Sequence, residues 1–129
     1  MAEPGFKHLH VATDHDVLVL TISETELFAD SVADGLRREL HAALAQHPLS
    51  KIALDFRNVR FITTIAFQPL LSLRRKVNEA GKHLVICGLR PEVAEVFDVT
   101  RLIATKPGMI AAFDHEQDLP GAIARLKTM

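Results

Sequence analysis

The residues best suited to chemistry lie in one stretch, Asp55-Phe56-Arg57-Asn58-Val59-Arg60-Phe61-Ile62-Thr63-Thr64-Ile65-Ala66-Phe67-Gln68-Pro69-Leu70-Leu71. A strand pattern ends, a turn follows, and a short extended segment delivers two hydroxyls, Thr63 and Thr64, to the start of an apolar helix. A helix start leaves backbone N–H groups unpaired and carries partial positive charge. Threonine oxygens accept from such donors, and a phosphate placed there meets a favourable field. Taken alone, the pair reads as a helix cap, worth about 1 kcal/mol. Pro69 allows two geometries. If Thr64 caps the helix, Pro69 falls at the fifth helical position and removes an early hydrogen bond. If the helix starts near Gln68, Pro69 takes its first position and both threonines lie in a loop.

Other reactive side chains are more scattered. His8 and His10 are two apart and share a face on a strand, with His15 at the following turn. Imidazoles suit zinc or copper, yet no neighbouring cysteine completes a cage, so surface or edge-strand positions are the expectation. Cys87 sits in an apolar strand, where desolvation raises a thiol pKa and keeps it inert. Asp55 is a carboxylate inside a strand that should be central. It either faces the loops at the strand's C-terminal end, where open α/β sheets bind ligands, or caps a turn. Glu24 and Glu26 lie near another strand end, so a nucleotide or small-ligand site with Asp55 is a third-ranked alternative. No glycine-rich phosphate loop, His-Glu-x-x-His or Gly-x-Ser-x-Gly is present. No catalytic constellation and no cofactor are expected.

The elements that must position these residues fit one domain, 1–129, with one core. The chain is 48% hydrophobic and 24% charged, as in ordinary globular proteins. A net charge of −1 gives no electrostatic case for nucleic acid or an anionic membrane. The aromatics are seven Phe without Tyr or Trp, which argues against a base-stacking platform. No apolar run approaches the roughly 18 residues of a membrane span. The start, Met1-Ala2-Glu3-Pro4-Gly5, lacks the pattern of a signal peptide. One cysteine excludes an intrachain disulfide, and the cytoplasm is the expected compartment.

Lys7 to Val11 and Asp16 to Ile22 read as an antiparallel hairpin turning at Asp14-His15-Asp16. From Ala29 to Gln46 the period becomes helical, with Val32, Leu36, Leu40, Ala43 and Leu44 on one face and Asp30 or Ser31 as cap. Lys51 to Phe56 is a strand. A second helix with Leu70, Leu73 and Val77 ends near Ala80, with Gly81 just past it. His83 to Cys87 is a buried strand, and Pro91 to Phe97 a short helix with proline in its first turn. Met109 to Phe113 is read as the last strand, before a helix opening at Asp118-Leu119-Pro120 with Ile123 and Leu126 inside. Strands alternating with helices predict parallel pairing and right-handed crossovers. A homodimer through an apolar face around Phe6, Val17 and Val19 is one option; packing of that face inside the domain is the other.

The order of motifs from about residue 16 to 126 resembles the STAS domain, shared by anti-sigma factor antagonists, stressosome proteins and the cytoplasmic tails of sulfate transporters. The similar features are the strand ending Leu54-Asp55-Phe56, the Asn58-Val59 pair, the Phe61-Ile62 approach and the hydroxyl pair opening an apolar helix. They continue through Ala80-Gly81-Lys82, Leu84 to Leu89, Pro91 to Phe97 and Thr100-Arg101-Leu102. The resemblance implies an α/β fold: an N-terminal hairpin leading into a mixed, largely parallel sheet of about five strands, flanked by four or so helices. In that family the usual motif is Asp-Ser-Ser-Gly or Asp-Ser-Thr-Gly, whose first hydroxyl residue is phosphorylated by a cognate anti-sigma factor, a serine kinase. Here Thr63 replaces the Asp, Thr64 takes the phosphoacceptor position, Ile65 the second hydroxyl and Ala66 the Gly. The chain is closer to a subgroup reading Phe-Leu-Ser-Ser-Ala-Ala-Leu-Gly. The resemblance thus implies a non-enzymatic module docking to an anti-sigma factor kinase through Thr63, Thr64, Ile65, Phe67, Gln68, Glu24 and Glu26. The docking is gated by phosphorylation at Thr64, or else it is constitutive.

Overall fold

The computed structural model describes residues 6–102 and 113–129. Strand β1 (Leu9–Asp14) and strand β2 (Val17–Ile22) form the expected hairpin. The turn is narrower than the three residues anticipated. His15 and Asp16 alone make it, both with positive φ (51° and 66°), as a two-residue turn matching the right-handed strand twist requires. After a two-residue strand β3 (Glu26–Leu27) comes helix α1 (Asp30–Gln46). Neither Asp30 nor Ser31 caps it. Ala29 holds the cap position without a side-chain bond, and Asp30 lies in the first turn, where its charge complements the helix dipole.

Strand β4 (Lys51–Asp55), strand β5 (Phe61–Ile62), a 3-10 turn (Thr64–Ala66) and helix α2 (Phe67–Glu79) follow. Gly81, at φ +70°, stands just past that helix as the sequence suggests. Strand β6 (His83–Cys87), helix α3 (Pro91–Val99), strand β7 (Asp114–Glu116) and helix α4 (Leu119–Lys127) complete the chain. The last strand was expected over Met109–Phe113. Most of that range lies outside the described residues, and the strand described begins one residue beyond it.

The main sheet runs β1-β2-β4-β6-β7, with the hairpin antiparallel and every other neighbour parallel. This is the expected mixed, largely parallel architecture, and four α-helices are described around it. β2 is buried at all six positions, because helices cover both sheet faces. Leu18, Leu20 and Ile22 join the larger core with Leu36, Leu40, Leu70 and Leu73 from α1 and α2. Val17 and Val19 point the other way, with Ala53, Val85 and Cys87, onto Ala122, Ile123 and Leu126 of α4. The face once considered for dimerisation is therefore interior at Val17 and Val19, and Phe6 packs against the larger core.

The two shortest strands matter most for the site. β3 and β5 pair in parallel, Glu26 beside Phe61 and Leu27 beside Ile62, as a separate two-stranded ribbon. The ladder runs on through Phe61 N–H to Thr25 O (3.2 Å) and Thr63 N–H to Leu27 O (3.1 Å). Leu27 and Ile62 face the core, so Glu26 and Phe61 face out.

Candidate functional site

The ribbon hands the chain to α2 through the tight turn that contains Thr64. Thr63 precedes that turn in extended conformation (φ −120°, ψ 171°), and its side chain makes no capping bond. The turn closes through backbone alone, Ala66 N–H to Thr63 O (3.1 Å). Capping is thus not what the hydroxyls do here. Thr64 is exposed, Thr63 and Ile65 are half-buried, and Gln68 is exposed. Among the described residues the Thr64 hydroxyl has no hydrogen-bond partner, so no base or orienting group activates it. As a nucleophile it is weak until a base is brought to it.

Pro69 follows neither anticipated geometry. The α-helix begins at Phe67, which places Pro69 third. A missing N–H is tolerated in a first turn, and the 3-10 turn ahead of it absorbs the irregularity. Phe67 departs from expectation more sharply. It was grouped with the residues a partner would touch, yet it is 7% exposed. Its ring meets Phe97 of α3 edge to face, centroids 5.5 Å apart, and Phe97 meets Phe56 at the same distance. This three-ring stack clamps the start of α2 to the end of β4 and leaves Thr64 on the outside.

Two further expected residues are engaged elsewhere. Asp55 is 2% exposed; one carboxylate oxygen accepts from the Arg57 backbone N–H (3.0 Å) and the other pairs with Arg57 Nε (2.8 Å). Of its two readings, the turn cap is the one found. Glu24 lies 2.7 Å from His8 Nδ1, and His8 is further held by Glu39, whose oxygens accept the backbone N–H of Lys7 (3.1 Å) and His8 (2.8 Å). Glu26 is exposed on the ribbon. The three carboxylates proposed for a small ligand therefore do not share an engagement. Among the described residues no group of His, Cys, Asp or Glu is arranged to hold a metal ion.

Burial pushes the Cys87 thiol up to about 12, with the Asp55 carboxylate adding to the effect. His41 lies where α1 meets α2, 2.9 Å from Ser72 Oγ. Burial lowers its pKa, helped by the Lys76 and Arg37 charges. The sequence reading never singled out Phe28, and it used Phe61 only as part of the Phe61-Ile62 approach, with no surface role. They stand edge to face, 5.9 Å apart, on the outer face of the ribbon, and are 52% and 49% exposed. The available signal was the two-residue alternation Glu26-Leu27-Phe28 and Phe61-Ile62-Thr63, too short to read as strands.

Comparison with known proteins bears on this arrangement. The family model of the STAS domain matches residues 8–116. No curated protein matches the chain by sequence. An anti-sigma factor antagonist from Mycobacterium paratuberculosis superposes with a TM-score of 0.76 at 16% identity, covering 98% of this chain and 99% of that one. The Bacillus cell-fate determinant SpoIIAA in its phosphorylated form gives 0.62 at 15% identity, over 91% and 97%. The murine anion transporter Slc26a9 gives 0.67 at 13% identity, over 88% of this chain but 18% of the transporter. At such identities the likeness is one of fold. Among the described residues no helix is long and apolar enough to cross a membrane.

Proposed function

Because this chain belongs to the STAS domain family, we propose that it is a cytoplasmic interaction module of the anti-sigma factor antagonist type. Its Thr64 face docks on an anti-sigma factor with serine-kinase activity, and phosphorylation of Thr64 ends the contact. The observation that supports this reading is the exposed, unengaged Thr64 hydroxyl at the entrance to α2. A kinase needs access to the hydroxyl, and the backbone already supplies the turn's own closure, so modification removes no bond that the fold uses.

Phosphorylation adds about −1.5 to −2 charges. A helix start accommodates that charge, so the fold is retained. The interface is not: confining a dianion between two proteins costs on the order of several kcal/mol unless a cation meets it. The switch acts on binding. The docking surface is made of Thr63, Thr64, Ile65, Gln68 and Glu26, with Phe67 serving from beneath as a support.

A second reading is a constitutive scaffold. It is favoured by Thr63, which stands where the family motif carries an Asp. One experiment separates the two. The chain is incubated with ATP and a candidate anti-sigma factor kinase, such as any serine kinase found encoded next to its gene, then analysed by mass spectrometry and by pull-down of that kinase. Modification at Thr64, absent in Thr64→Ala, with binding lost in Thr64→Glu, supports the gated module. An unmodified Thr64 and a complex indifferent to Thr64→Glu refute gating in favour of the scaffold. Heat on titration with nucleotide would move the assignment to a ligand-binding domain.

A further inference from the structure

Glu24, expected at the docking surface, has its carboxylate committed to His8 instead, 2.7 Å from Nδ1. The contact has a built seat. The His8 ring lies on Gly35 of α1, where an added Cβ would collide with Nε2. Glycine is a poor residue for a helix interior, and here it makes room for the imidazole. Glu39 fixes the backbone at this point by accepting the N–H groups of Lys7 and His8. The His8 carbonyl in turn accepts the Ser23 N–H (2.8 Å). Residues 23 and 24 are thus tied to His8 in succession, first by backbone and then by side chain.

The next residue is the joint of the ribbon. Thr25 O accepts both the Arg60 N–H (2.7 Å) and the Phe61 N–H (3.2 Å), and Leu27 O accepts the Thr63 N–H (3.1 Å). Thr64 follows directly on the last of these bonds. Leu27 and Ile62 anchor the inner side of the ribbon in the core. With two residues on each strand, it has little of its own to hold the Thr25 end.

We propose that His8 is a positioning residue for the Thr64 face: its imidazole, seated on Gly35, holds Glu24 and through it the Thr25 carbonyl that aligns Arg60 to Thr63. His8 acts through this chain of contacts and sets the attitude in which Thr64 is presented. What concerns a kinase here rests on the function proposed above; the coupling from His8 to the ribbon does not.

The test follows amide hydrogen exchange by NMR in the chain alone. Losing a charge-assisted hydrogen bond speeds local opening about tenfold. His8→Ala and Glu24→Ala therefore each raise exchange about tenfold at the Arg60, Phe61 and Thr63 amides, while the amides of β4 keep their wild-type rates. The double variant is no faster than either single, because both remove one contact. Glu24→Gln still offers an oxygen to the Nδ1–H and stays close to wild type. Gly35→Ala improves helix propensity but drives the ring off its seat, so it loosens the same three amides. Wild-type rates at those amides in both alanine variants overturn the proposal. A uniform rise that includes β4 also overturns it, as do single effects that multiply in the double variant. With the candidate kinase, the alanine variants bind about tenfold more weakly, and unchanged binding overturns the link to presentation. A kinase that ignores the wild type as well counts against the proposed function alone, and the exchange pattern still decides the coupling.

Discussion

Replacing Phe67 by alanine separates a support from a contact residue. Phe67 is 7% exposed and its ring rests on Phe97, which in turn rests on Phe56. Truncating a buried Phe costs about 3–5 kcal/mol, from lost transfer energy and the cavity left behind. The edge-to-face contact is about 0.5–1.5 kcal/mol of that. A domain of this size has about 5–15 kcal/mol in total, so Phe67→Ala removes a large share of it. With a urea slope of about 2 kcal/mol per molar, the unfolding midpoint falls by about 2 M at unchanged slope. Phe61→Ala, at a half-exposed ring in contact with Phe28, lowers stability by less than about 1 kcal/mol. The assay is urea unfolding followed by far-ultraviolet circular dichroism. A Phe67→Ala midpoint within about 0.5 M of wild type would refute the placement of this ring in the core and return Phe67 to the docking surface.

Three further outcomes follow from the same geometry. Asp55→Ala strips the acceptor from the Arg57 N–H and leaves that turn without its cap, so thermal and urea unfolding show a loss of about 1–3 kcal/mol; an unchanged midpoint contradicts the assignment. Cys87, with its thiol pushed up to about 12, has about one thiolate in ten thousand at pH 8. It therefore reacts with an alkylating agent only as fast as the fold opens, and labelling at the rate of a free thiol would rule this out. His41 has a folded-state pKa below its unfolded value, so the folded form binds fewer protons. That contribution is present above about pH 6.5 and is lost as the pH falls through the lowered value. Urea midpoints at pH 7.5 and pH 5 therefore converge in His41→Gln relative to wild type, whereas an identical pH dependence in both proteins removes His41 from the account.

The longer elements were legible because each carries its own period. Leu36, Leu40, Ala43 and Leu44 recur on one side of a helix, and that side is the one buried in α1. Leu84 to Cys87 is a continuous apolar run, and β6 lies inside the sheet with helices on both faces. The STAS likeness was readable for a similar reason, as an ordered series of such pieces along the chain. Thr64 was located at the strand-to-helix junction by local pattern as well.

What the local pattern did not contain is which distant residue covers which side chain. Phe67 and Phe61 are both aromatic residues flanking the same threonines. One is buried because Phe97, thirty positions along, arrives from α3, and the other stays about half exposed although the Phe28 ring lies against it. The same holds for Asp55, whose two readings were separated by where Arg57 folds back. The ribbon of β3 and β5 is two residues on each strand, below the length at which alternation can be recognised. Periodicity reports the side of an element that seeks the core. Burial of a given atom, and the freedom of the Thr64 hydroxyl with it, is settled only when elements far apart in the chain are packed together.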